Sequence, residues 1–165
     1  MTEQVRNVLF LCTGNSARSI LAEALLNNLG GGKYTAYSAG SFPKGAVHPV
    51  ALETLRSFGL STEGLRSKSW NEFAAPGAPK MDFILTVCDQ AAGEVCPVWP
   101  GHPATAHWGM PDPAAVGGPH DMQVRAFHET ARILERRIQY FLAIPFSKLR
   151  REQLHESLLE AGRQG

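Results

Sequence analysis

The sequence lacks long apolar runs, a strong charge bias and a signal for secretion. No apolar stretch approaches the roughly 20 residues that a membrane-spanning helix needs. The formal net charge is only +1, which gives no support to a nucleic-acid-binding surface. The amino terminus, Met-Thr-Glu-Gln-Val-Arg, has no apolar core of a signal peptide. We therefore expect a cytoplasmic protein without a membrane or nucleic-acid partner.

Cysteine is too sparse for a structural disulfide framework. The chain has three, Cys12, Cys88 and Cys96, and an odd number in a cytoplasmic protein indicates reactive or buried thiols. None of the six histidines stands at metal-ligand spacing from a cysteine. We expect no zinc site and no other bound metal.

The sequence does contain an alternation of strand and helix patterns. Its 165 residues suit one domain with a sizeable core. Strands are predicted over 7–11, 34–39, 82–87 and 104–108, and helices over 20–29, from Pro49, over 121–142 and over 147–161; Ser69 to Glu72 matches a capping box for a further short helix. This alternation indicates an α/β fold with a parallel sheet covered by helices. Loops that follow such strands gather at the carboxyl edge of the sheet, where ligands bind.

One loop stands out between the first strand and the first helix. Five residues separate Cys12 from Arg18, and such a loop forms a concave anion site with backbone N–H groups and a guanidinium. The same positive field favours the thiolate form of Cys12, which is the nucleophilic form. The predicted oxyanion-binding residues are Cys12, Thr13, Gly14, Asn15, Ser16, Ala17 and Arg18. The alternative, a buried core thiol, suits the polar loop less well.

Three further side chains are candidates for supporting this chemistry. Ser19 could donate a hydrogen bond to the Cys12 thiolate, and Asn15 tolerates the left-handed backbone that such a loop requires. Asp112 lies between two prolines and could protonate a leaving oxygen as a general acid. Each could also be only a cap or turn residue.

These motifs carry a resemblance to a known family. The loop Leu11 to Ser19, together with Tyr37-Ser38-Ala39-Gly40, Ser67-Lys68 and Met110-Pro111-Asp112-Pro113, resembles the low-molecular-weight tyrosine phosphatase superfamily, and within it the arsenate reductases. The resemblance implies a three-layer α/β sandwich whose four-stranded parallel sheet has the order 2-1-3-4. It covers roughly residues 7 to 142, so we expect a catalytic domain over 1–145 and a helical extension over 146–165.

The resemblance to the reductases also implies a disulfide relay. Cys12 attacks arsenate, Asp112 protonates the departing oxygen, Cys88 attacks Cys12, and Cys96 then attacks Cys88. With strands 1 and 3 adjacent, Cys12 and Cys88 are one inter-strand spacing apart, about 4.8 Å, which a disulfide can bridge. Thioredoxin is the expected external reductant, with no bound cofactor, although glutathione with glutaredoxin could resolve the Cys12 adduct instead.

Other functions remain open at this point. A tyrosine phosphatase of the family needs only Cys12, but Ala114, Ala115 and Val116 follow Asp112-Pro113 where phosphatases commonly carry aromatic residues. Trp99 or Trp108 could line a slot instead, although core or rim packing suits each better. A non-catalytic oxyanion or redox sensor is a third possibility. Some family reductases bind potassium near the loop asparagine, for which Asn15, Glu23 and Ser38 are candidates, although capping or solvated positions explain them equally well.

Overall fold

The computed structural model describes residues 5–87 and 103–164. Its elements in chain order are β1 (Arg6–Leu11), α1 (Arg18–Leu29), β2 (Tyr34–Ala39), α2 (Pro49–Ser57), α3 (Asn71–Ala74), β3 (Phe83–Thr86), β4 (Ala104–His107), α4 (His120–Leu142) and α5 (Arg151–Ala161). Single 3₁₀ turns span Pro113–Ala115 and Phe146–Lys148. Within these described ranges no helix has the length and apolar character needed to cross a membrane.

The four strands form one parallel sheet in the order β2-β1-β3-β4, which confirms the expected fold class. Leu11 at the end of β1 is in register with Ala39 of β2 and with Thr86 of β3. Thr86 is in turn in register with His107 of β4. Because all four strands end at one level, the residues that follow them meet at a single edge of the sheet.

The core lies on both faces of the central strand. Val8 and Phe10 pack into a large cluster with residues of α1, α2, α4 and α5, whereas Leu9 and Leu11 pack into a smaller one with Phe73 of α3. This division follows from the two-residue period of a strand, which sends successive side chains to opposite faces. All four of these β1 side chains are buried, so the strand that leads to Cys12 is a rigid support.

The helices follow their apolar periodicity. The buried face of α4 includes Phe127, Ala131, Leu134, Ile138 and Phe141, the residues that its spacing predicts. Proline occupies the first turn of α2, where its missing N–H is not needed, and His48 caps that turn by accepting the N–H of Val50.

Two local predictions are wrong. The short helix expected at Ser69 to Glu72 is present as α3, but without the capping box, because Trp70 is its N-cap and the carboxylate of Glu72 is bound by Arg66. The expected helix over 147–161 is a 3₁₀ turn followed by α5. The chain is extended at Leu149, whose side chain packs against the core, and α5 then begins beyond Arg150.

The last helix folds back onto its own domain. It contacts β4 and α4, and Leu158 and Ala161 are completely buried there. The edge strand β4 is therefore covered by the C-terminal segment, which removes part of an exposed sheet edge.

Candidate active site

The loop between β1 and α1 is held open by hydrogen bonds to its outer side. The carbonyl oxygens of Thr13, Gly14 and Ser16 accept the backbone N–H groups of Phe42, Lys44 and His48, at 2.9 to 3.0 Å. In a trans peptide the N–H points opposite to the C=O, so the N–H groups of the peptides that follow Thr13 and Ser16 face the inside of the loop. The loop thus presents donors inward, as an oxyanion site requires.

Asn15 stabilises this loop through its backbone conformation and its side-chain hydrogen bonds. Its φ of 43° makes it the one non-glycine residue with positive φ in the described part of the chain, and asparagine tolerates this conformation better than most residues. Its side-chain Nδ2 donates to Ser19 Oγ at 2.8 Å, and its Oδ1 accepts the backbone N–H of Lys68 at 2.9 Å. The predicted supporting pair, Asn15 and Ser19, is therefore in direct contact and completely buried.

Arg18 lies at the other end of the loop, where part of its guanidinium is hydrogen-bonded within the protein. Nη1 donates to the carbonyl oxygen of Met110 at 2.8 Å, and Nη2 lies 3.8 Å from Oδ2 of Asp112. Nε is buried and has no acceptor among the described residues. The Met110 contact fixes the guanidinium plane, and Nε and Nη2 form the edge that remains for a bidentate oxyanion.

Asp112 is in a position consistent with a proton donor. Its Oδ1 accepts the backbone N–H of Ala114 at 3.0 Å and caps the short 3₁₀ turn, while Oδ2 faces Arg18. The side chain is 37% exposed, so it can exchange protons with solvent. Tertiary structure thus brings Asp112 to the Cys12 loop across 100 residues of sequence, as the predicted sheet edge requires.

These groups line one small cavity of about 220 Å³. Its walls are formed by the whole predicted loop and by Asp112, together with Phe42 and Lys44. Cys12 itself is 5% exposed, in keeping with a thiol at the base of a pocket. Every predicted oxyanion-binding residue, from Cys12 to Arg18, lies in this cavity wall.

Phe42 and Lys44 are site residues that the sequence analysis missed. Phe42 is 75% exposed, and the methylene groups of Lys44 lie against Gly14, where an added Cβ would come within 3.2 Å of Lys44 Cε. The signal was present, because Ser41-Phe42-Pro43-Lys44 directly follows the Ser38-Ala39-Gly40 motif at the end of β2. Trp108, by contrast, is completely buried against Phe10 and Phe141 and lines no slot.

A buried charged cluster lies behind the loop. Ser38 Oγ donates to Oε1 of Glu23 at 2.6 Å, and Lys68 Nζ donates to Ser38 Oγ at 3.4 Å and to the carbonyl oxygen of Arg66 at 2.9 Å. Lys68 Nζ is 3.6 Å from Oε1 of Glu23. Burial raises the pKa of Glu23, opposed by Ser38 and Lys68, and burial lowers the pKa of Lys68, opposed by Glu23.

This cluster does not fit a bound potassium ion. Glu23 and Ser38, two of the residues considered for such a site, both contact the Lys68 ammonium, and the third, Asn15, accepts the Lys68 backbone N–H. The chain's own lysine supplies the positive charge, and a second cation beside it would be repelled.

Cys88, Cys96 and Trp99 lie outside the described residues. The last residue before Cys88 is described: the backbone N–H of Val87 donates to the carbonyl oxygen of Leu11 at 2.9 Å. Leu11 directly precedes Cys12. The peptide chain that leads to Cys88 therefore runs beside the one that leads to Cys12.

The sequence and the fold of this chain are similar to those of known proteins. Over residues 7–155 the chain matches the low molecular weight phosphotyrosine protein phosphatase family. The chain belongs to this family. The match extends into α5, further than the motifs between residues 7 and 142 indicate.

Proteins similar to this chain carry two different names. The arsenate reductase of Halalkalibacterium halodurans is 32% identical over 134 residues, which are 81% of this chain and 93% of that protein. The solved thioredoxin-dependent arsenate reductase of Corynebacterium glutamicum is 26% identical with a TM-score of 0.56, covering 84% of this chain but only 64% of that one. The low molecular weight protein tyrosine phosphatase from T. tengcongensis is 26% identical with a TM-score of 0.62, covering 87% and 99%.

Proposed function

We propose that this member of the phosphatase family reduces arsenate to arsenite with electrons from an external thiol. The observation that carries the proposal is the hydrogen bond between Val87 N–H and Leu11 O, since these residues directly precede Cys88 and Cys12. Neighbouring strands lie about 4.8 Å apart, within the Cα–Cα range that a disulfide spans. This neighbourhood supports thiol exchange between Cys12 and Cys88, which a phosphatase does not need.

Substrate binding uses the loop as an oxyanion cradle. The inward N–H groups and the Nε and Nη2 edge of Arg18 hold three arsenate oxygens, and the fourth points toward Asp112. The positive end of α1 adds to the attraction for the anion. Ser19, already an acceptor for Asn15 Nδ2, keeps its hydroxyl hydrogen for the Cys12 thiolate. Phosphate has nearly the same shape and charge and should compete for this cradle.

The chemical steps balance as a two-electron reduction. The Cys12 thiolate attacks arsenic and forms a sulfur–arsenic bond, while Asp112 gives its proton to the oxygen that leaves as water. The Cys88 thiolate then attacks the Cys12 sulfur, the sulfur–arsenic bond breaks, and its electron pair stays on arsenic as arsenite. The two thiolates supply both electrons as they are oxidised to the Cys12–Cys88 disulfide. The Cys96 thiolate attacks Cys88, restores the Cys12 thiolate and leaves a Cys88–Cys96 disulfide.

Thioredoxin is the reductant that we propose for the final disulfide. The solved Corynebacterium glutamicum relative is described as thioredoxin-dependent. A dithiol donor also matches an intramolecular disulfide between two cysteines eight positions apart. We propose a cytoplasmic setting, where thiols are kept reduced, and a catalytic domain over 1–145 with 146–165 as an extension.

A second activity, hydrolysis of aryl phosphates, is favoured by one observation. Phe42 is an exposed aromatic side chain at the mouth of the cavity and offers a surface on which a phenol ring can stack. Ala114, Ala115 and Val116 offer no aromatic ring, so among the described lining residues Phe42 is the only aromatic one. We therefore rank phosphatase activity below arsenate reduction.

The deciding experiment is arsenate-dependent NADPH consumption with thioredoxin and thioredoxin reductase. We expect steady turnover by the wild-type chain and none by Cys12→Ser or Cys88→Ser. Cys96→Ser should release about one arsenite per chain, because the Cys12–Cys88 disulfide can form but cannot be exchanged for a Cys88–Cys96 disulfide. Phosphate binding by Cys88→Ser and Cys96→Ser serves as the folding control. Arsenate turnover that persists in the Cys88→Ser/Cys96→Ser chain contradicts the relay.

Mass spectrometry of the oxidised chain separates the reductants. An intramolecular Cys88–Cys96 disulfide after one turnover supports thioredoxin, whereas a glutathione adduct on Cys12 supports glutaredoxin. A chain that binds phosphate yet neither reduces arsenate nor hydrolyses aryl phosphates is an oxyanion or redox sensor, and the proposed activity is then wrong.

A further inference from the structure

Two arginines bind three consecutive backbone carbonyl groups beside the active site. Arg137 of α4 donates from Nη1 to the carbonyl oxygens of Trp108 at 2.9 Å and Gly109 at 3.3 Å. Arg18 donates from Nη1 to the next carbonyl, that of Met110, at 2.8 Å. Arg137 is 9% exposed and lies outside the cavity wall formed by the loop and Asp112. We call residues 108–112 the bridging segment, since it joins β4 to Asp112.

The C-terminal segment is fastened to the same place. Arg137 Nε donates to the carbonyl oxygen of Gln164 at 3.1 Å, and the indole Nε1 of Trp108 donates to the carbonyl oxygen of Leu158 at 2.9 Å. Gly162 lies against the Trp108 ring so closely that an added Cβ would come within 2.5 Å of Cδ1. The end of α5, the bridging segment and Arg137 therefore form one buried assembly.

Burial of the Arg137 cation needs compensation. Its pKa is lowered because burial removes water from the guanidinium. Three backbone carbonyls replace that water, and the planar fork of an arginine can reach all of them at once. A lysine ammonium offers no such fork, so it would not hold the same three carbonyls in the same arrangement.

We propose that Arg137 is a positioning residue that sets the orientation of Arg18 and the place of Asp112 through the bridging segment. Met110 O fixes the plane of the Arg18 guanidinium and hence the edge that meets the oxyanion. If Arg137 releases the preceding carbonyls, Met110 O shifts and that edge turns away from the cradle. This inference rests on the proposed function only insofar as both concern the same cavity. It applies to the binding of any tetrahedral oxyanion there, whether or not the anion is reduced.

The test compares Arg137→Lys and Arg137→Met with Arg136→Met, a matched control at an exposed neighbouring position on α4. The measured quantity is the dissociation constant of inorganic phosphate, obtained from its protection of Cys12 against alkylation. We expect phosphate binding to be about 10- to 100-fold weaker for Arg137→Met, less affected in Arg137→Lys and unchanged in Arg136→Met, because loss of charge-assisted hydrogen bonds between the Arg18 guanidinium and the anion has effects of this size. Arsenate kcat/KM should fall in parallel.

A double-mutant cycle with Arg18→Lys asks whether Arg137 acts through Arg18. We expect Arg137→Lys to weaken phosphate binding in the wild-type background and to have little added effect in Arg18→Lys, since coupled residues are not additive. Additive losses overturn the proposal. A folded Arg137→Met chain with a lower melting temperature but phosphate binding within about twofold of wild type also overturns it, because the role is then only structural.

Gly162→Ala tests the same proposal without changing Arg137, so it remains informative if the Arg137 variants fail to fold. The added methyl group displaces the Trp108 ring, whereas Gly117→Ala adds the same group in open space. We expect Gly162→Ala to bind phosphate more weakly than the wild type and Gly117→Ala to bind it equally well. Equal binding by the two variants overturns the role of the C-terminal segment. A wild-type chain that binds phosphate but does not reduce arsenate refutes the proposed function and leaves this inference standing, whereas a chain that does not bind phosphate refutes both.

Discussion

Lys68 and Glu23 form a buried ion pair directly behind the oxyanion loop, with Nζ 3.6 Å from Oε1. The two side chains are 7% and 12% exposed, and the backbone of Lys68 also holds Asn15. Removing one partner leaves an uncompensated buried charge, which is far more destabilising than removing both. We expect Lys68→Met to lower the free energy of unfolding by about 3 to 5 kcal/mol near pH 7, and Lys68→Met/Glu23→Gln to lower it by less.

The free energy of unfolding of Lys68→Met should depend on pH in a way that the double variant does not share. Burial raises the pKa of Glu23, and Ser38 and Lys68 oppose that rise, so loss of Lys68 removes part of the opposition and the folded-state pKa rises further above 4.5. A raised folded-state pKa contributes stability that is lost as pH rises through it. Denaturant unfolding of Lys68→Met should therefore show stability that falls as the pH rises above 4.5, which the double variant does not share. Identical pH profiles would contradict a charged pair.

Gly40 is predicted to be irreplaceable at the end of β2. An added Cβ would lie 2.4 Å from Thr13 O and 2.5 Å from Cys12 O, and both are backbone atoms of the loop. Gly40→Ala must therefore move the loop itself, and we expect kcat/KM for arsenate to fall about 100-fold. Gly117→Ala, with open space around it, is the control. Wild-type phosphate binding by Gly40→Ala would show that the loop can adapt.

His48 makes helix α2 sensitive to acid. Its Nδ1 accepts the N–H of Val50, a bond that requires an unprotonated Nδ1, and burial, together with Lys44, lowers the pKa of His48 below 6.5 despite Asp112. A depressed folded-state pKa contributes stability that is present above 6.5 and lost as pH falls through the folded value. His48→Asn keeps a capping side chain without titrating. We expect the wild type to lose stability relative to His48→Asn below pH 6.5, and a constant difference between them would contradict this.

Asp112→Asn separates proton donation from loop geometry. An asparagine retains the side-chain oxygen that caps the Ala114 N–H but has no proton to give. We expect kcat for arsenate reduction to fall about 100- to 10,000-fold, the range found for general acids. Phosphate binding should persist, which serves as the control for an intact loop. An unchanged kcat would assign the proton to another group.

Phe42→Ala distinguishes the two candidate activities. Phe42 is the exposed aromatic residue at the cavity mouth, where arsenate has nothing to stack on it but an aryl phosphate does. We expect kcat/KM for an aryl phosphate to fall about tenfold, which corresponds to the loss of one aromatic contact. Arsenate reduction should be unchanged. A parallel loss of both activities would instead assign Phe42 to the geometry of the loop.

The sequence by itself determined the α/β class and the centre of the site, while the strand order followed from the family resemblance. The strands β1 and β3 are short runs that are mostly apolar, and the loop from Cys12 to Arg18 lies between a buried strand and a helix. These features are local, so neighbouring residues are enough to specify them. Asp112 could also be predicted, because the parallel strands of such a sheet all end at one edge.

Only the tertiary structure decided how the site is supported. The ion pair of Lys68 with Glu23 and the hydrogen bonds from Arg137 to the bridging segment join residues that lie far apart in sequence. Nothing in the local sequence marks Arg137 among the arginines of α4 as the one that turns inward. The tertiary structure decides it, because a buried cation needs acceptors and the carbonyl oxygens of Trp108, Gly109 and Gln164 converge on Arg137.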